Sequence, residues 1–367
     1  MLSTMNTRAP LRWLGKQLFN REDPGAFFDP LLAALNPMWV RGYVPARLQD
    51  VVDEARDTRS FHLRPSPRWQ GFEAGQHVNI IVEANGVRHH RTFTIASSPR
   101  QWERDGSITL TIKRLPGGRI TNWMHDNLRG GEIVGVSEAF GEFDLPEAEI
   151  PLLYIAGGSG ITPVLSHLAT LANRDFRAPV TLLYYVRSQA DVIGAETLYA
   201  LAARWPALTL KIFKTEEDGD GALLNDRHLD AVPGIRARQV YLCGPKGLMD
   251  LAGNLLSQFG IRESQIQSTF FSAPSAVAAD TPLGGEVTFG KSSKSVESGG
   301  DAPLLEIAEA AELKPAYGCR MGICHQCSCR KTSGTVVNRL TGKPSGPGEE
   351  TIQLCISVPQ GPVTVDL

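Results

Sequence analysis

The sequence predicts a multidomain chain: an antiparallel β-barrel, then an α/β domain on a parallel sheet, then a smaller cysteine-bearing domain. Three observations carry this reading. Residues 46–148 alternate short strand-like runs with turns, residues 149–272 alternate strands with helical stretches, and cysteines gather near the C-terminus. Period-2 runs bounded by turn residues indicate antiparallel sheet, whereas continuous apolar strands separated by helices indicate parallel sheet. A length of 367 residues suits two or three such domains.

The elements follow in chain order. Residues 1–45 are an extension rich in Trp, Phe, Leu and Pro. Within it Asp29-Pro30 reads as the N-cap and first position of a short helix ending near Leu35. This segment is apolar enough to pack on the body or to touch a membrane surface. In the barrel region Val78–Val82, Thr92–Ile95 and Ile108–Ile112 are strand-like, with turns at Asn85-Gly86 and Pro116-Gly117-Gly118. In the next region Leu152–Ala156, Val180–Val186, Leu208–Ile212 and Gln239–Leu242 read as buried parallel strands. Residues 273–285, rich in Ala, Pro and Gly, read as a linker to a domain over 286–367.

Composition narrows the function classes. Hydrophobic residues at 42% and charged residues at 21% describe a globular chain, and a net charge of −2 gives no basis for nucleic-acid binding. No apolar run approaches the ~20 residues of a membrane span. The N-terminus lacks an apolar h-region and a cleavage site, so a cytoplasmic location is expected.

Cys319, Cys324 and Cys327, followed at a distance by Cys355, form C-x4-C-x2-C plus a remote fourth cysteine. This is the plant-type ligand spacing for a 2Fe-2S cluster. Soft thiolates suit iron–sulfur units, and Gly318 and Gly322 let the backbone wrap closely. Disulfides would require an oxidising compartment and more dispersed cysteines. A zinc site would want a second C-x2-C pair. Cys329 lies too close to Cys327 to be the distant ligand and reads as a buried neighbour, the alternative being a ligand that swaps into the site. Arg320, Met321 and His325 share the loop and are expected to be exposed there, or else to be structural.

Three further motifs carry chemistry. Arg91-Thr92-Phe93-Thr94 puts an arginine, an aromatic ring and a hydroxyl on one strand. Arg91 suits a pyrophosphate, Phe93 a flat ring system, and Thr94 the edge of an isoalloxazine near its reactive nitrogen. Taken alone it is equally an amphipathic strand. Gly117-Gly118-Arg119-Ile120-Thr121 is a glycine turn into a helix, a phosphate-binding geometry or an ordinary capped helix. Gly157-Gly158-Ser159-Gly160-Ile161-Thr162 lies between a hydrophobic strand and an apolar helix, where a nucleotide pyrophosphate binds. Cys243-Gly244-Pro245 ends another strand at the ligand-binding edge of that sheet, although a lone cysteine there is often core. Arg187-Ser188 follows a strand where a bound ribose would lie. An acid would favour NADH; Arg with Ser suits the 2′-phosphate of NADPH, with Lys214 adding charge. A solvated arginine at a strand end is the competing account.

In this order the motifs resemble the ferredoxin–NADP reductase superfamily, and among it the fused members with a C-terminal plant-type ferredoxin domain. The resemblance covers residues 46–367. It implies an FAD-binding barrel, an NAD(P)-binding domain and an α+β, β-grasp ferredoxin domain. By motif, Arg91, Phe93 and Thr94 would contact the flavin, with Gly118 and Thr121 at its phosphates. Gly157, Gly158, Gly160 and Thr162, with Gly244 and Pro245, would face the pyridine nucleotide, and Cys243 would sit near hydride transfer. Cys319, Cys324, Cys327 and Cys355 would hold the cluster. Many relatives end the nucleotide domain with Glu-x-Phe; here Ser268-Thr269-Phe270-Phe271 lacks the acid, so no proton donor transfers. FMN replaces FAD in some fused relatives. The approach Asn36-Pro37-Met38-Trp39 looks most like reductases of bacterial membrane fatty-acyl desaturases; other fused reductases serve Rieske oxygenases or steroid and aromatic hydroxylases. The implied activity is NAD(P)H oxidation through FAD and the cluster to a terminal desaturase or oxygenase, NADPH being favoured over NADH. A flavin–iron–sulfur sensor or regulatory subunit without turnover is the reading from a different class.

Overall fold

The computed structural model describes residues 35–39, 43–84, 87–219, 221–269, 283–317, 320, 322 and 325–367. The helix expected near residues 29–35 and the Asn85-Gly86 turn therefore lie outside the described residues, Leu35 excepted. Among the described residues, no helix is long and apolar enough to cross a membrane.

The first sheet has six antiparallel strands: β1 (Val44–Ala55), β2 (Thr58–Pro65), β3 (His77–Ala84), β4 (Val87–Thr94), β5 (Ile108–Lys113) and β6 (Ile133–Val136). Their spatial order is β4-β3-β6-β1-β2-β5. The ends curl toward each other, because Ala96 N–H, just past β4, donates to Thr109 O of β5 at 2.8 Å. Alternation explains the barrel: Ala46, Leu48, Phe61, Leu63, Val78 and Ile80 are at most 1% exposed. Two short helices accompany it, α1 (Pro99–Asp105) and α2 (Arg119–Asn127). The sequence does not single out the long β1–β2 hairpin, since Gln49, Asp50, Asp53 and Glu54 make its β1 strand polar and interrupt the apolar alternation.

The second sheet is parallel, in the order β11-β10-β7-β8-β9. It comprises β7 (Leu152–Gly157), β8 (Val180–Val186), β9 (Leu208–Lys214), β10 (Gln239–Cys243) and β11 (Ile266–Thr269). Strands β7 and β8 are buried along their whole length, which is why they read as unbroken apolar runs. Helices α3 (Ile161–Asn173), α4 (Ala195–Arg204), α5 (Asp226–Asp230) and α6 (Lys246–Gln258) connect them. All strands run parallel, but the order of strand addition reverses between β7 and β10, so the crevice beyond their carboxyl ends is the switch point where ligands bind in such sheets.

The third sheet is mixed, in the order β13-β12-β16-β14-β15. Its strands are β12 (Gly285–Phe289), β13 (Lys294–Ser298), β14 (Ser328–Asn338), β15 (Glu350–Gln353) and β16 (Ser357–Val365), with helix α7 (Leu304–Ala310) packed on it. Its central pair β12–β16 is parallel and its other pairs are antiparallel, the arrangement of a β-grasp.

Candidate functional site

The nucleotide cleft is built on the glycines after β7. Gly157 starts a 3-10 turn at Gly158–Gly160 that runs directly into α3, so backbone N–H groups at a helix start face the opening. The glycines are obligatory for close packing. A Cβ at Gly160 would lie 2.2 Å from Cys243 O, and one at Gly157 2.6 Å from Leu248 Cδ2. Gly158 instead needs its conformation, with φ +52° and open space around it. Thr162 turns inward, its hydroxyl donating to Ser159 O at 3.1 Å. The cleft, of about 610 Å³, is lined by Gly157–Gly160, Gly244, Pro245 and Arg187, and by Lys113 and Leu115 from the barrel. Two domains thus form one pocket.

The ends of β8 and β9 qualify the expected phosphate contacts. Arg187 lines the cleft but shares its guanidinium with Asp191 Oδ1, at 3.3 Å. Ser188 is buried, and its hydroxyl donates to Asp191 Oδ2 at 2.8 Å. Lys214 pairs with Glu217 and Asp218, each at 3.4 Å. Asp191 itself was not singled out from the sequence. Its signal was a serine three residues before an acid just past a strand, a local capping pattern. Burial alone would raise its carboxyl; the Ser188 hydroxyl, Lys113 and Arg187 outweigh burial and hold it below the usual carboxylate range. Cys243 is fully buried, and burial pushes its thiol well above its ordinary value. It is therefore neutral and not a nucleophile, and, contrary to its expected place beside hydride transfer, it is packed beneath the cleft lining rather than part of it.

Behind the cleft lies a buried aromatic cluster of Phe143, Tyr154, His167 and Tyr241. His167 Nε2–H donates to Phe143 O at 2.9 Å, which leaves Nδ1 to accept from the Tyr154 hydroxyl at 3.2 Å. Burial lowers the His167 pKa to about 4, so the ring is neutral.

The flavin motif residues all belong to the barrel domain. Thr94 ends β4, and Thr121 lies in the first turn of α2, whose N-cap is Gly118. The hydroxyls of Thr94 and Thr121 and the side-chain oxygen of Asn122 are buried without a hydrogen-bond partner. Such atoms are costly unless a ligand satisfies them, so this donor and acceptor set fits a bound polar cofactor. A Cβ at Gly118 would come 2.5 Å from Thr121 Oγ1, closing the cradle. Phe93 is half-buried on the barrel core, while Arg91 is exposed at the edge strand and donates to His90 O at 2.7 Å. Asn122 is the residue here that the motif reading passed over.

Of the cysteines, Cys319 and Cys324 lie outside the described residues. Cys327, just before β14, and Cys355, between β15 and β16, are buried with their sulfurs 3.2 Å apart. That separation exceeds the ~2.05 Å of a disulfide. Residues 28 apart thus converge on one point, as a shared inorganic centre requires. Gly322 holds φ +77°, and a Cβ there would strike Ile356 Cδ1 at 2.7 Å. Cys329, expected to be buried, is only half-buried, because it lies within β14 opposite Ile352 with Sγ 3.8 Å from Arg330 O. His325 is exposed, whereas Arg320 is half-buried, pairing with Glu309 and lying 4.0 Å over the Tyr317 ring.

Comparison with known proteins agrees with this geometry. Residues 45–145 match the oxidoreductase FAD-binding domain, 154–253 the oxidoreductase NAD-binding domain, and 287–360 the 2Fe-2S iron-sulfur cluster binding domain. The chain is 31% identical to an NADPH oxidoreductase of Mycobacterium tuberculosis over 92% of this chain and 88% of that protein. It is 30% identical to the glycine betaine monooxygenase reductase subunit of Pseudomonas aeruginosa over 90% of this chain and 98% of that protein. The fold is that of phthalate dioxygenase reductase, at 24% identity and a TM-score of 0.62 over 89% of this chain and 98% of that one.

Proposed function

The chain belongs to the ferredoxin–NADP reductase superfamily, in the form fused to a C-terminal 2Fe-2S domain, and from that premise we propose that it passes electrons from NADPH to the terminal component of an oxygenase. As an oxidoreductase of this family it works with FAD, a nicotinamide nucleotide and a 2Fe-2S cluster. Together these groups accept the two electrons of a hydride and release them singly. The chain supplies the placement. Gly157–Gly160 receive the nucleotide's phosphates through backbone N–H groups, Gly244 and Pro245 flank them, and Arg187 faces the ribose end. Thr94, Thr121 and Asn122 orient the flavin, and Cys319, Cys324, Cys327 and Cys355 hold the cluster.

The observation that carries this reading is the shared cleft, with nucleotide-domain glycines on one wall and barrel residues Lys113 and Leu115 on the other. A nucleotide held there reaches from one domain toward the flavin of the other. The named reductase subunit of glycine betaine monooxygenase supports an oxygenase as acceptor. A membrane fatty-acyl desaturase is the second reading. It is favoured by Leu35 and Trp39, 70% and 56% exposed beside the 3-10 turn Pro37–Trp39. A cytoplasmic location, with peripheral membrane contact through the N-terminal extension, belongs to the same proposal.

The test is reconstitution. NADPH should bleach the flavin anaerobically at lower concentration than NADH. Cys355→Ser should leave that bleaching within twofold and cut product formation by an added oxygenase component at least tenfold. Unchanged delivery by Cys355→Ser would show that electrons leave from the flavin. Product formed only with a membrane desaturase selects the second reading, and failure to reduce any one-electron acceptor selects a sensor.

A further inference from the structure

The barrel and the nucleotide domain meet along a seam beside the cleft. The β1–β2 hairpin reaches across it at two points, one through its backbone and one through the Glu54 side chain. Arg56 N–H donates to Ala190 O at 2.7 Å, and Gly194 N–H donates to Glu54 Oε1 at 2.9 Å. Between these points stands Asp191, 2% exposed, at the end of the 3-10 turn Gln189–Asp191. Its carboxylate lies 3.3 Å from Lys113 Nζ, 3.3 Å from Arg187 Nη2 and 3.8 Å from Arg56 Nη1. Lys113 and Arg56 come from the barrel, whereas Arg187 and Asp191 come from the nucleotide domain. Lys113, Arg187 and Asp191 also line the cleft itself.

Exposed ion pairs contribute little, but this carboxylate is buried and shared by three cations. Without it, like charges from the two domains would face one another across the seam. We propose that Asp191 is a positioning residue for hydride transfer: by binding barrel cations to the nucleotide domain it fixes the separation of the two cleft walls. The inference rests on the reading of this cleft as the NAD(P)H site. Reacting atoms must approach to roughly 3–3.5 Å, and a misplacement of about 1 Å costs on the order of 100-fold in rate. A loosened seam therefore slows the reaction even when the nucleotide is bound.

The experiment uses the FAD- and cluster-loaded full chain carrying Asp191→Asn, an isosteric change. Stopped-flow bleaching at saturating NADPH should slow at least tenfold, while the nucleotide Kd stays within threefold because the cations remain. In the same protein without nucleotide, hydrogen exchange at the Arg56 and Gly194 amides should quicken at least tenfold, with β3 amides unchanged. Lys113→Met should reproduce both effects, and the double variant should be no slower than the worse single one, because the two residues share one interaction. A bleaching rate within twofold of wild type, unchanged exchange, or additive losses would overturn the proposal. If Asp191→Asn does not fold, Lys113→Met decides alone by the same two readouts. A wild-type flavin that neither nucleotide bleaches would reject the NAD(P)H reading, and the exchange data would still decide whether the seam depends on Asp191.

Discussion

The two anion cradles of this molecule are built on the same plan, a glycine turn running into a helix, yet they satisfy their own polar atoms differently. At the flavin cradle the Thr94 and Thr121 hydroxyls and the Asn122 side-chain oxygen are buried without a partner. At the nucleotide cradle Thr162 is satisfied internally by Ser159 O, and what faces the opening is glycine backbone. A buried polar atom left alone destabilises the protein, so side chains of this kind suit a cofactor that stays. Exposed backbone N–H groups are hydrated when the ligand leaves, so they suit a nucleotide that exchanges on every turnover.

Four substitutions would break or sharpen that contrast. The largest effect belongs to Gly160→Ala, because its Cβ would meet main-chain oxygen of Cys243 at 2.2 Å and nothing flexible can yield. Nucleotide-driven flavin bleaching should fall at least 100-fold, about 3 kcal/mol, while FAD stays bound. Gly158→Ala, with open space but φ +52°, should cost about 1 kcal/mol of stability and spare most of the rate. Equal effects at the two positions would show that conformation, and not close approach, governs the loop.

The next effect concerns the core behind the nucleotide cradle. His167 is neutral in the fold with a pKa near 4, lowered from 6.5 by burial. Between those values the unfolded chain binds the extra proton, so stability falls as pH drops through this window. From pH 7 to 4.5 the contribution is roughly 2 kcal/mol. Urea unfolding at both pH values should show a smaller difference for His167→Gln than for wild type. The same difference in both proteins would assign the acid sensitivity elsewhere.

The smallest effect has opposite signs in the two states. Thr121→Val removes a hydroxyl that needs the cofactor, so FAD Kd should rise about tenfold. The same change should leave the FAD-free protein as stable or more so, since an unpartnered polar atom is gone. Loss of stability in the FAD-free protein would mean that Thr121 serves the fold and not the flavin.

Local chemistry was legible residue by residue. The glycines at 157, 158 and 160 announced a strand-to-helix turn because few other residues fit there, and the cysteine spacing announced a cluster because its ligands are clustered in sequence. Buried strands such as Val180–Val186 were visible as unbroken apolar runs for the same local reason. The β1–β2 hairpin was less visible, since its exposed charges dilute the alternation. Lys214, expected to add charge at a 2′-phosphate, is paired with Glu217 and Asp218, three and four residues away.

What the sequence determined by itself was therefore the order of the domains, the cofactor classes and the residues whose backbone conformation or donor chemistry is set within a few positions. Only the tertiary structure decided that Asp191 stands between Arg56, Lys113 and Arg187, and that Lys113 and Gly157 face one cleft. The Arg56 and Lys113 pairings join residues of separate domains, as much as 135 positions apart. Charge attraction carries no sequence period, so their partners become identifiable only once the two domains have packed.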